Sequence, residues 1–252
     1  MTARQQFAFF GASNLALSRQ AAIQAAARRS SGPLDLVFAD GFGRSYVAES
    51  SVLGRVLPGI GACGALDALE GSAPLSAVVT DVGNDLAYGR TSAEVLDAVA
   101  GVLTRLAALK ARVVVTGLPL APLHATSPRA FRFFSRLFFP QRRIERAEVL
   151  SRAVETDRGL RNLAAEHGAA FVEPFPHWYG ADPIHPRRGS LPEAWERYSA
   201  AIPGAPVPRE RRLALSGELR GRLPAARRLW GIEQRTPQPC VRLAEGSSIS
   251  LY

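Results

Sequence analysis

The sequence predicts an α/β protein organised as a doubly wound parallel sheet with helices on both faces. Two patterns carry that expectation. Five short, continuous apolar runs have the length of strands buried on both faces, and helix-favouring stretches separate them. A chain of 252 residues, 47% hydrophobic, is also long enough to bury the core such a sheet needs, as one large domain or two small ones.

The first run is FAFF (7–10). It breaks at Gly11, and alanine-rich, helix-favouring sequence runs from Asn14 to Arg29. Ser13 stands between the two, where a serine suits a helix N-cap as well as a nucleophile at a strand end. LDLVFA (34–39) is the second run and leads into DGFGRS; SAVVT (76–80) is the third and leads into DVGND. The helix from Thr91 to Lys110 opens with TSAE, a capping-box pattern, and then repeats apolar residues at helical spacing. RVVVTG (112–117) is the fourth run. A long amphipathic segment, Gln141 to His167, ends at Gly168, a residue suited to a C-cap. AAFVEPF (169–175) is the fifth run, and the loop behind it ends in ADPIHP.

Two regions fall outside this alternation. PRAFRFFSRLFFP (128–140) interleaves five phenylalanines with three arginines. It reads as a mobile lid over an acyl pocket, as a core-packing amphipathic helix, or as a helix lying on anionic lipid. Residues 1–202 read as the main domain. Residues 203–252 read as a basic C-terminal extension, packed on or trailing from that domain, with a helix near Gly217 to Trp230.

The formal net charge of +9 is almost all arginine, Lys110 being the only lysine. Excess cation favours anionic surroundings. The arginines are scattered, however, and runs such as RERR (209–212) read as a solvated face; no nucleic-acid motif accompanies them. The expectation is therefore no nucleic-acid partner, and at most weak surface contact with anionic lipid. Two distant cysteines, Cys63 and Cys240, make neither a disulfide framework nor a zinc site. The four-residue apolar run before Gly11 is too short for a signal-peptide core. No segment reaches the about 18 uninterrupted apolar residues of a membrane span. Together these predict a soluble, cytoplasmic protein with no metal and no cofactor.

Ligands of a doubly wound sheet sit beyond the carboxyl ends of its strands. The residues collected there are Ser13, a glycine-rich turn, Asn84, and an aspartate three residues before a histidine. That set matches the needs of ester hydrolysis. Ser13 can attack if His185 takes its proton, and Asp182 can orient the imidazole. The backbone N–H groups of Ser13 and Gly43 and the side-chain amide of Asn84 are the candidates for holding an oxyanion. Gly41 competes with Gly43, and each glycine also suits a loop that needs positive φ. Asn84 also suits a plain turn. Asp85 reads as a helix-start residue. His124, His167 and His177 lack an aspartate three residues earlier, which favours His185.

These blocks, FFGASN, DGFGRS, VGND and DPIH in that order, resemble the SGNH (GDSL-type) hydrolases, a family of serine esterases and lipases. The resemblance spans about residues 5 to 200. It implies a flavodoxin-like three-layer α/β/α sandwich with a five-stranded parallel sheet. It also implies Ser13 as nucleophile, Asp182 and His185 as its partners, and Ser13, Gly43 and Asn84 as the oxyanion hole. The expected substrate is a small-molecule acyl ester, with no cofactor. The family's G-D-S signature has Ala12 here in place of its aspartate. Two alternatives follow: a catalytically silent binding protein of the same fold, and an acyltransferase using the same residues. A nucleotide-binding flavodoxin-like domain fits less well, because no G-x-x-x-x-G-K-[ST] follows the first strand. The sequence leaves open the acyl and alcohol groups and the oligomeric state.

Overall fold

The computed structural model describes residues 3–138, 145–215 and 217–252. In chain order it opens with β1 (Gln5–Phe10), α1 (Ser13–Arg28), β2 (Leu34–Ala39), β3 (Ser50–Val52), β4 (Arg55–Leu57) and β5 (Leu75–Val79). Then come α2 (Asn84–Ala87), α3 (Ser92–Ala108), β6 (Arg112–Thr116), α4 (Leu120–Ala125), α5 (Pro128–Phe138) and α6 (Arg146–Glu166). The chain finishes with β7 (Ala170–Val172), α7 (Leu191–Ala201), β8 (Ala226–Leu229), β9 (Ile232–Arg235), β10 (Val241–Arg242) and β11 (Ser248–Leu251).

All five apolar runs become strands, paired in parallel in the order β2-β1-β5-β6-β7. Their apolar runs are continuous because both faces are covered, and alternate side chains feed opposite layers. Ala8 and Phe10 face a layer built from Val95, Val99 and Leu103 of α3 and Leu150 and Leu160 of α6. Phe7 and Phe9 face the other layer, with Ile23 of α1 and Trp195 and Tyr198 of α7. The result is the expected three-layer α/β/α sandwich. The capping box at Thr91 also forms, with Glu94 reciprocating.

The sheet is wider than the five strands expected. It has seven, because β11 pairs in parallel with β2 and β10 runs antiparallel to β11. The added strand reads SISL, a serine-alternating stretch with no apolar run to announce it. It is specified by the open edge of β2 rather than by its own hydrophobicity. The helix expected near Gly217 to Trp230 is absent. Gly217 and Gly221 adopt positive φ, and Pro224 follows, which no continuous helix accommodates. The end of that stretch instead forms β8, part of a second sheet ordered β3-β4-β8-β9. The fifth strand stops at Val172, two residues before Pro174. Residues 139–144, which include the end of the phenylalanine–arginine segment and the expected start of the next helix, lie outside the described residues. No helix among the described residues is long and apolar enough to cross a membrane.

Candidate active site

The turn after β1 places Ser13 as the first residue of α1, with Ala12 as the N-cap residue. Ala12 has no side-chain acceptor for the first N–H groups of the helix. Asp81, which follows β5 by two residues, takes that part. Its Oδ2 accepts from the N–H of Ala12 at 3.0 Å and from that of Leu15 at 2.9 Å. Burial pushes the Asp81 carboxyl above its ordinary range, and these hydrogen bonds act against that rise. Asp81 also adopts φ +58, a costly conformation for a non-glycine residue. No pattern in the sequence marks Asp81; the only signal is an N-cap residue that cannot cap.

Ser13 is buried, and its Oγ lies 3.0 Å from His185 Nε2. The other ring nitrogen of His185, Nδ1, lies 2.7 Å from Asp182 Oδ2. The second carboxylate oxygen, Oδ1, accepts from the N–H groups of Ile184 at 2.8 Å and His185 at 3.2 Å. One tight turn therefore fixes both oxygens of Asp182. Burial would raise this carboxyl, but the bonds from the His185 ring and Ile184 outweigh burial and hold it below its usual range. The amide of Asn14 donates to the Ile184 carbonyl at 3.2 Å, tying that turn to the helix bearing Ser13.

The glycine block is held by buried polar groups. Gly43 adopts φ +66, and a Cβ there would fall 2.6 Å from both Val52 and the Tyr88 hydroxyl. Tyr88 donates to the Gly43 carbonyl at 2.6 Å. Arg44 is fully buried and donates to the carbonyls of Asp40, Pro58 and Tyr252. Asp85 accepts from the Ser45 hydroxyl and from the Tyr46 N–H, and Tyr46 places its hydroxyl 2.8 Å from the Phe10 carbonyl. Asp85 thus starts a helix, as expected, and also anchors the glycine block.

Asn84 begins α2, and its amide donates to the Arg44 carbonyl at 3.4 Å, a long bond that brings the third block against the second. Ser13 and Asn84 share the wall of one apolar cavity of about 120 Å³. Leu118, Leu123, Phe131, Phe134, Ala153 and Tyr179 are among its other lining residues. Gly43 and Gly41 are not part of that wall. Of the remaining histidines, His177 is exposed beside Glu193, His167 caps the end of α6, and His124 is exposed on α4. Among the described residues, no group of three His, Cys, Asp or Glu side chains is placed to hold a metal ion.

Solved structures share the architecture. The carbohydrate acetylesterase Est24 from Sinorhizobium meliloti superposes with a TM-score of 0.54 at 14% identity, over 77% of this chain and 95% of that one. The native aryl esterase of M. smegmatis superposes with a TM-score of 0.53 at 13% identity, over 79% of this chain and 99% of that one. The chain shares the α/β/α sandwich fold of these two esterases. No family model matches its sequence, and no curated protein does. At these identities the likeness concerns the fold, and chemistry has to be argued from the site itself.

Proposed function

We propose that the chain is a cofactor-independent serine hydrolase that cleaves acyl esters through an acyl-enzyme. The observation that carries this reading is the unbroken chain of contacts from Ser13 Oγ through both His185 ring nitrogens to Asp182. His185 Nε2 takes the Ser13 proton as Oγ attacks the ester carbonyl carbon. Asp182 holds the ring with Nδ1 protonated and stabilises the imidazolium that forms. The carbonyl oxygen, now an oxyanion, accepts from the N–H of Ser13 at the tip of α1, from the Gly43 N–H and from the Asn84 amide. The tetrahedral adduct collapses as His185 protonates the departing alcohol. Water then attacks the acyl-enzyme, with His185 again as base. The acyl group occupies the apolar cavity beside Ser13 and Asn84.

The test is labelling with a fluorophosphonate probe followed by peptide mapping, together with turnover of acetyl and butyryl nitrophenyl esters. Labelling at Ser13 with ester turnover, both lost in Ser13→Ala, is the expected result. A folded protein that neither labels nor turns over any ester overturns the reading.

A further inference from the structure

α5 has two faces with different chemistry. Its inner face supplies Phe131, Phe134 and Ser135 to the wall of the cavity beside Ser13. Its outer face exposes Phe133 and Leu137, at 62% and 58%, beside Arg129, Arg132 and Arg136. These five positions recur at helical spacing, so they form one stripe. The helix, PRAFRFFSRLF, contains no acidic residue to neutralise it. Large exposed apolar groups set in one stripe with cations mark a face suited to a partner that meets both.

The same end of the sheet carries more such groups. The β3–β4 hairpin packs on the glycine block, with Val52 against Gly43 and Leu57 against Gly41. Its two-residue turn exposes Leu53, and the β8–β9 turn exposes Trp230, whose ring lies on Gly54. Both residues adopt positive φ in turns that favour asparagine or glycine. Exposed, strained and apolar, they are poorly explained by folding alone.

We propose that α5 docks the active-site end of the sheet on an anionic lipid surface. Phe133 and Leu137 enter the acyl boundary while the three arginines meet headgroup phosphates. A lipid surface is favoured over an acidic protein because the arginines and apolar side chains share one narrow stripe. A protein interface would separate a charge-poor centre from a polar rim. As a means of presenting an acyl ester to Ser13 the proposal rests on the hydrolase reading, but the docking itself is measured without turnover.

The experiment is co-sedimentation of the full chain with phosphatidylcholine vesicles, with and without phosphatidylglycerol. Phosphatidylglycerol-dependent binding, weakened by salt and retained by Ser13→Ala, is expected. The triple variant Arg129→Gln, Arg132→Gln, Arg136→Gln weakens partition on the order of 100-fold, at about five-fold per arginine. Phe133→Ser with Leu137→Ser weakens it as well. Both variants keep turnover of a soluble acetyl ester, which also reports that they fold. Equal binding to both vesicle types, or binding that survives either variant, overturns the proposal. So does competition by soluble polyglutamate together with wild-type binding of the Phe133→Ser, Leu137→Ser protein, which marks a face for an acidic protein. A wild-type chain without ester turnover sinks the hydrolase reading and leaves the vesicle result standing; the reverse outcome sinks only the docking.

Discussion

The Asp81 carboxylate accepts from the backbone N–H of Leu15 across the gap between two neighbouring parallel strands. The same oxygen accepts from Ala12. In a capping box the N-cap side chain and the residue at the third helical position divide this work. Here one residue from another strand end does both parts, because alanine occupies the cap. The second and third donors of α1, the N–H groups of Ser13 and Asn14, carry no hydrogen bond among the described residues. The cap therefore fixes the turn that carries the Ser13 N–H, and under the proposed mechanism that donor serves the oxyanion. A carboxylate is thus present at the turn that bears Ser13 despite Ala12, supplied from position 81.

Asp81→Ala should lower kcat by about 100-fold, the scale of a displacement of roughly 1 Å in a reacting group. KM should change less than kcat, because Asp81 is a polar part of the cavity wall and the apolar lining, Leu118, Leu123 and Phe131 among it, is unchanged. Asp81→Asn retains a carbonyl oxygen for both N–H groups, and its loss should be about ten-fold or less. Steady-state kinetics on a soluble nitrophenyl ester, with a melting curve for each variant, checks this. Wild-type kcat in Asp81→Ala would show that Asp81 has no bearing on Ser13.

Asp182 gives a pH dependence whose sign follows from its environment. The folded protein holds its carboxyl below the usual range, whereas the unfolded chain titrates near about 3.9. Its contribution to stability is therefore complete above that value and is lost as pH falls toward the folded pKa. Wild type should melt above Asp182→Asn by a constant margin from neutral pH down to about 4, and the margin should narrow below it. Paired melting curves at neutral and acidic pH read it out. A margin unchanged into strong acid would mean that the pairing with His185 contributes nothing to folding.

Much of this could be read in the chain because buried parallel strands appear as continuous apolar runs. The residues just after those runs then meet at one end of the sheet, whatever their separation in sequence. Ser13 and His185, 172 residues apart, meet that way. What stayed hidden depends on neighbours through space. Asp81 reaches Ala12 only because β1 and β5 lie side by side, with Phe10 opposite Val79. Arg44 looks like an ordinary surface arginine until three carbonyls enclose it. SISL has no apolar run, and the edge of β2 makes it a strand.

Asn84→Ala should lower kcat/KM by about 100- to 1,000-fold, the usual consequence of removing one oxyanion donor. The amide's structural bond to the Arg44 carbonyl is long, so the melting temperature should move by only about 2 °C. Kinetics and calorimetry on the same preparation separate the two effects. A large fall in melting temperature with modest kinetic loss would assign Asn84 to the loop instead of to the oxyanion.

The cavity predicts how rate depends on acyl length. Its volume of about 120 Å³ is below the range of sites that enclose drug-sized ligands, so it suits short to medium chains. Each methylene that enters it should raise kcat/KM by about four-fold, from about 0.8 kcal/mol per buried group, until the space is filled. Ala153 is buried in α6 and lines the cavity, so Ala153→Phe should fill it. That variant should keep acetyl ester turnover and lose the rise beyond it. Phe131→Ala, on the α5 wall, should extend the rise to longer chains. An acyl series from acetyl to decanoyl nitrophenyl esters, run on all three proteins, gives the slopes directly. Parallel slopes in wild type and both variants would mean that the acyl chain leaves Ser13 by another route.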